Sequence, residues 1–169
     1  LEQMMRDVLD EVISVFNCDR AFLLHFIGPD LESWVMPIVR WRPEHPVSYS
    51  NKLIPLDPLG KKVVKTMFDS NEPVKAGPGT PFPLTEFVSE NFGFKSFMGL
   101  ALYPKTGDIW ELGIHQCSHE RIFTIEEKKL FMEIGRRLTD GLTGLLIYRG
   151  LTESENKYRQ ITENIPGMV

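Results

Sequence analysis

The chain reads as an α+β domain in which a central antiparallel β-hairpin feeds a long C-terminal helix. Three observations predict this. The apolar runs Phe97–Tyr103 and Ile109–Cys117 flank Pro104-Lys105-Thr106-Gly107-Asp108, a short connector with Gly and polar residues between β-prone segments. Thr124-Ile125-Glu126-Glu127 then carries a capping box: the Thr124 hydroxyl can accept from the Glu127 amide while the Glu127 side chain accepts from the amide of Thr124. At the other end, Leu1–Phe16 places apolar residues at three- and four-residue steps, the period of an amphipathic helix.

Length and composition fit one globular domain: 169 residues, 42% hydrophobic and 25% charged. The formal net charge is −4 and no dense Lys/Arg run occurs, which argues against nucleic acid or an anionic membrane surface as the main partner. No apolar run reaches the ~18 residues of a membrane helix, so no membrane insertion is expected in this segment. Cys18 and Cys117 do not make a disulfide framework, and a reducing, cytoplasmic setting is expected. The first residue is not Met, which leaves room for an upstream region.

In the first helix, Leu1, Met5, Val8, Val12 and Val15 keep a heptad-like rhythm, with Met4, Leu9, Ile13 and Phe16 beside it. Two apolar stripes let one helix pack on its own sheet and on a partner helix; deep burial within one subunit is the plainer reading. Asn17-Cys18-Asp19 breaks the pattern, Arg20–Ile27 reads as a strand, Gly28-Pro29-Asp30 as a turn and Trp34–Trp41 as a second strand. Residues 42–58 hold four prolines and are expected to form a surface excursion. Asp57 and Pro58 then suit the N-cap and first position of a helix over Leu59–Phe68. A short strand over Asn71–Ala76, an irregular Gly77-Pro78-Gly79-Thr80-Pro81 and a short helix over Pro83–Asn91 precede the central hairpin, Lys95–Tyr103 and Asp108–Ser118. The last helix starts at Ile125 and is expected to reach about Arg149, with Gly141, Gly144 and Gly150 weakening it or allowing a close helix contact. Residues 151–169 are polar, end in the turn signal Asn164-Ile165-Pro166-Gly167, and are too poor in apolar residues for a domain of their own.

The run Trp110-Glu111-Leu112-Gly113-Ile114-His115-Gln116-Cys117-Ser118, followed by Arg121 and Thr124-Ile125-Glu126-Glu127, resembles the corresponding stretch of GAF domains in sensor kinases, close to the phytochrome-related branch. The tail from Glu155 to Gly167 is similar to the opening residues of a PAS domain. The resemblance implies a sensory domain over residues 1–150, followed by a linker and the start of a PAS-like domain over 151–169. Its fold would be a central antiparallel sheet with the N- and C-terminal helices on one face. Short helices and loops would enclose a small-molecule pocket on the other. It further implies a homodimer through residues 1–16 and 125–150, and downstream signalling domains in the same chain, as in a bacterial sensor histidine kinase of a two-component system. Bilin-binding relatives carry a Cys-His pair in the short helix before the central hairpin. Here that region, Pro83 to Phe92, has no Cys, which argues against a covalent bilin and leaves the ligand unknown.

Four residues are candidate ligand contacts: His115, Cys117, Arg40 and Trp41. The resemblance places His115 at a ligand, and a neutral imidazole suits a carbonyl or anionic group; a core-edge His bonded to a backbone carbonyl is the alternative. Arg40, inside an apolar run, could anchor a carboxylate or phosphate, although an outward-facing Arg is the more ordinary reading. Trp41 and Trp110 suit core or pocket wall. His115, Cys117 and His119 alternate and would share a strand face, but three residues at period two are weak metal-site evidence, and no metal is expected. Gly77-Pro78-Gly79-Thr80 is read as a structural turn rather than an anion nest. No catalytic residues stand out; the remaining alternatives are a ligand-free dimerisation module and a thiol-dependent redox enzyme, the latter lacking an apparent resolving pair of cysteines.

Overall fold

A computed structural model describes residues 2–163. The leading Leu1 and the turn expected at Asn164-Ile165-Pro166-Gly167 lie outside the described residues. Ten elements follow one another: α1 (Glu2–Phe16), β1 (Arg20–Ile27), β2 (Ser33–Trp41), β3 (Ile54–Pro55), α2 (Pro58–Ser70), β4 (Val74–Ala76), α3 (Glu86–Phe92), β5 (Ser96–Leu102), β6 (Trp110–Gln116) and α4 (Ile125–Glu163). Six strands form one antiparallel sheet in the order β3-β2-β1-β6-β5-β4. The expected hairpins are β1–β2 and β5–β6, and β1 joins them by pairing with β6, Ala21 opposite Ile114 and Leu23 opposite Leu112.

Strand alternation divides the apolar residues into two layers. On one face, Ala21, Leu23, Ile38, Met98, Leu100, Leu112 and Ile114 pack under Met5, Leu9, Val12 and Phe16 of α1 and Phe131, Leu138 and Leu142 of α4. Both terminal helices therefore lie on the same side of the sheet. On the other face, Phe22, Leu24, Phe26, Trp34, Met36 and Phe97 meet Val63, Val64 and Met67 of α2 and the loop residues Val47 and Tyr49.

Local chemistry sets the helix starts as the sequence predicts. Asp57 accepts from the amides of Leu59 and Gly60 at the start of α2. At α4, Glu127 N donates to Thr124 Oγ1 (3.1 Å) and Thr124 N donates to Glu127 Oε1 (3.0 Å), the reciprocal pair of a capping box.

Three expectations need correction. The 42–58 excursion contains β3, two residues at the sheet edge beside Ser33 and Trp34, too short for any periodic signal. α4 does not stop near Arg149 but runs on to Glu163 as one helix of 39 residues, because the polar stretch after Gly150 is rich in good helix formers and nothing in it breaks the turn. Finally, the buried stripe of α1 combines Met5 and Val12 of the heptad-like set with Leu9 and Phe16 beside it, and Met4 and Val15 are exposed at 59% and 58%. Of the α4 glycines, Gly141 serves a close contact within the chain: a Cβ there would stand 2.6 Å from the Met5 methyl, so the missing side chain on α4 makes room for Met5 of α1.

Candidate functional site

The face of the sheet away from α1 and α4 lines a partly open cavity of ≈ 100 Å³. β1 supplies Phe22, Leu24 and Phe26 to its wall, β2 supplies Trp34 and Met36, and β6 supplies Glu111 and His115. α2 closes one side with Leu59, Val63 and Val64, and the segment around α3 closes another with Val88, Phe92 and Phe94.

His115 is the one candidate of the four that lines this cavity. It is 4% exposed, its ring stacks on Phe94 with centroids 4.1 Å apart, and Phe22 lies tilted against it at 4.8 Å. Burial, together with the adjacent Arg20 guanidinium, holds its pKa well below the usual histidine range, so the ring is neutral at neutral pH. Arg20 Nη1 stands 3.5 Å from His115 Nδ1. A guanidinium only donates, so Nδ1 is the acceptor and the ring proton sits on Nε2, leaving that N–H as a donor without a partner among the described residues. Gly113, between Glu111 and His115 on this face, gives the Phe22 ring room to lie flat on the strand: a Cβ there would meet the ring at 2.1 Å.

Arg20 was not singled out in the sequence, yet it organises one end of the site. It is 6% exposed and donates to the carbonyls of His45, Pro46 and Phe92 and to the Tyr49 hydroxyl. Through these bonds a single side chain at the start of β1 fastens the 42–50 loop and the C-terminal end of α3 to the sheet. Its neighbour Asp19 faces the other way and accepts from the amides of Cys117 and Ser118 and from Gln116 Nε2. Burial pushes the Asp19 carboxyl up, but the Ser118 and Cys117 amides, with the Ser118 side chain and the nearby His45, outweigh it and hold the group below the ordinary carboxylate range.

The remaining candidates lie elsewhere. Arg40 projects on the helix side of the sheet, where its Nε donates to Asp10 of α1 at 2.8 Å, the outward-facing alternative. Trp41, the last residue of β2, is exposed and outside the cavity wall. Cys117 follows the end of β6 and is buried without reaching the cavity, because strand alternation stops at Gln116. The same break keeps His115, Cys117 and His119 from converging, and among the described residues no group of three or more His, Cys, Asp or Glu is placed to hold a metal. Burial pushes the Cys18 thiol up to about 12 and the Cys117 thiol up to about 11, the opposite of what a nucleophilic thiolate needs. In the Gly77–Thr80 turn, the Gly77 amide donates to the Phe82 carbonyl and the Thr80 amide to Gly77, so those groups are not available to an anion.

The motif residues after His115 have a structural task. Gln116 bonds Asp19 and Ser118; Arg121 donates to Gln116 Oε1 and pairs with Glu127; Glu127 in turn caps α4. The Arg121 guanidinium also sits over the Phe123 ring, 4.9 Å from its centroid. A continuous polar chain therefore runs from the end of β6 to the first turn of α4.

An antiparallel six-stranded sheet with both terminal helices on one face and a roofed cavity on the other is the fold of GAF domains. Solved structures with this fold include the phycocyanobilin-bound GAF domain of a cyanobacterial phytochrome, at TM-score 0.67 and 16% identity, covering 85% of this chain and 84% of that one. The blue-light absorbing form of the Thermosynechococcus elongatus PixJ GAF domain matches at TM-score 0.69 and 14% identity, covering 90% of each chain. A far-red absorbing dark state with bound biliverdin matches at TM-score 0.65 and 19% identity, covering 80% of this chain and 85% of that one. No protein-family model matches the chain, and no curated protein matches it. Among the described residues, no helix is long and apolar enough to cross a membrane.

Proposed function

We propose that residues 1–150 are a non-catalytic sensory domain of a bacterial signal-transduction protein of the sensor histidine kinase type. It binds a small molecule in the cavity and signals through α1 and α4. The observation that supports this reading most is β6 itself. One strand carries the cavity residues Glu111 and His115 on its face and continues, through Gln116, Arg121 and Glu127, into the start of α4. A ligand that prefers one position of β6 has a direct mechanical route to the helix, and shifts the equilibrium by its difference in affinity for the two states.

The bilin chromophores of the similar structures do not fit the site as it stands. Drug-sized ligands occupy ~300–1,000 Å³, well above the ≈ 100 Å³ here, and neither thiol lines the cavity. The proposal is therefore a ligand smaller than a bilin and not covalently held. For the dimer, the exposed Met4 and Val15 on α1 and Ile147, Leu151, Tyr158 and Ile161 on α4 offer apolar positions to the same helices of a second copy. The helical stretch after Gly150 itself carries Glu155–Glu163 of the PAS-like segment, and in this reading it is the connection to the downstream signalling domains of the same chain.

Native mass spectrometry of the protein purified from its own host tests the ligand: a stoichiometric, non-covalent adduct lost on denaturation is expected. The bare polypeptide mass throughout would overturn ligand binding and favour a purely structural module. Size-exclusion chromatography with light scattering tests the dimer, and a monomer at high concentration with flanking sequence restored would overturn it.

A further inference from the structure

The cavity wall holds a polar group that the fold itself leaves without a partner. Glu111, the second residue of β6, lies between the core residues Trp110 and Leu112, and strand alternation turns it to the cavity side with Gly113 and His115. It is 5% exposed, and its carboxyl has no hydrogen-bond or ion-pair partner among the described residues. The carboxyl folds over Gly99 of β5: a Cβ on Gly99 would stand 2.6 Å from Glu111 Oε1 and 2.3 Å from the Phe97 ring. The strand opposite is thus reduced to bare backbone where the acid sits.

For stability alone this is a poor arrangement. Desolvating a carboxyl without a partner costs free energy that an aliphatic side chain of similar size would not. Burial pushes Glu111 up to about 8. Aromatic rings face the same space: Phe22, Trp34, Tyr49, Phe92, Phe94 and Phe97. Ring faces attract cations, and aromatic cages with an acidic partner recognise ammonium groups. The Arg20 guanidinium keeps its positive charge at the His115 end of the cavity, away from the acid, and the shift of Glu111 comes from burial alone. His115 is neutral, Arg20 is tied to backbone carbonyls behind the His115 ring, and Asp57 accepts from two α2 amides. β1, β5 and α2 present only apolar residues toward Glu111.

We propose that the cavity binds a compact organic ammonium ion, with the Glu111 carboxylate as its counter-ion and the surrounding rings as its walls. This rests on reading the cavity as a ligand site. Size sets the class: ≈ 100 Å³ lies below the ~150 Å³ of an engineered cavity that holds benzene. Binding exchanges one proton for one cation. The neutral Glu111 carboxyl releases its proton to solvent as the ammonium ion enters, and the ion pair replaces the buried acid.

The test uses two probes of one shape, tert-butylammonium chloride and tert-butanol, titrated calorimetrically into the protein in two buffers of different ionisation enthalpy. The expected result is saturable binding of the ammonium ion at least tenfold tighter than the alcohol. Close to one proton is released per ion at pH 7, and affinity rises about tenfold from pH 6 to pH 7 and levels off as pH passes 8. Glu111→Gln removes the proton release and brings the two probes to within threefold of one another; circular dichroism confirms that the variant folds. Equal binding of both probes to the wild type overturns the cation proposal while leaving a ligand cavity in place. Binding of neither overturns the proposal too, with the adduct experiment above deciding independently whether the cavity has another ligand. Should the wild type release no proton, Glu111 is not the counter-ion, and that result is readable without any variant.

Discussion

The two faces of the sheet are built from the same six strands and do opposite things. On the helix side, Leu9, Leu23, Met98, Leu112, Ile114, Phe131 and Leu142 close a dense, largely aliphatic layer in which the one ionisable member among the described residues, Cys18, stays a neutral thiol. On the other side, rings outnumber branched aliphatics in the cavity wall, space is left over, and Arg20, Glu111 and His115 are taken out of water. Dense packing stabilises; unfilled space and desolvated charge destabilise. One layer carries the stability that lets the other keep an incomplete, reactive surface, which is the usual relation between a scaffold and a site.

The sharpest way to break that division is a matched pair of truncations. Phe131→Ala on the helix side should cost ~3–5 kcal/mol in urea unfolding, because Phe131 is completely buried and ring-to-ring with Phe16. Phe94→Ala on the cavity side should cost less than half as much, because its ring borders space that is already open and loses fewer contacts. Equal costs would mean that the faces are equally well packed.

Titration sharpens the comparison next. Glu111 is raised from 4.5 to about 8, so between these values the folded chain holds a proton that the unfolded chain has lost. Its contribution to stability is full at low pH and falls as pH rises from about 4.5 through 8. His115 is depressed, so the unfolded chain takes up a proton first and stability falls as pH drops below 6.5. Denaturant midpoints should therefore decline from pH 6.5 to pH 8.5, and Glu111→Gln should flatten that limb, a change on the order of a few kcal/mol at the alkaline end. A wild-type midpoint that is level over this range would show that Glu111 is solvated and that the cavity face is not dry. The smallest effect is expected at the junction of the layers: Thr124→Ala removes the cap of α4 and should cost ~1 kcal/mol while leaving the pH profile unchanged.

The helix face was largely legible in the sequence because periodicity reports burial. The three- and four-residue steps in Glu2–Phe16 translate directly into one buried side, and the Thr124–Glu127 box into the start of α4, whereas the apolar run Arg20–Ile27 marks a strand buried on both faces. The cavity face was harder to read, since its meaning lies in which residues converge. The apolar flanks of Arg40 fit either an anchor or an outward-facing Arg; it faces outward, and its pairing with Asp10 across a contact between β2 and α1 is encoded by no local pattern. Glu111 did carry a signal: an acid between Trp110 and Leu112, at even spacing from His115, shares its strand face. Arg20, at the boundary of a turn and a strand, carried none, because its carbonyl partners lie 25 to 72 residues away.

The length of α4 carries a further consequence. At the standard rise its 39 residues span about 58 Å, and its last buried residue is Leu145. Leu146 still packs partly on the core and Arg149 pairs with Glu2 of α1, but beyond that pair the described residues of α4 are almost all exposed. From Leu145 to Glu163 the helix extends about 27 Å, so each degree by which that stretch tilts moves its tip by about 0.5 Å.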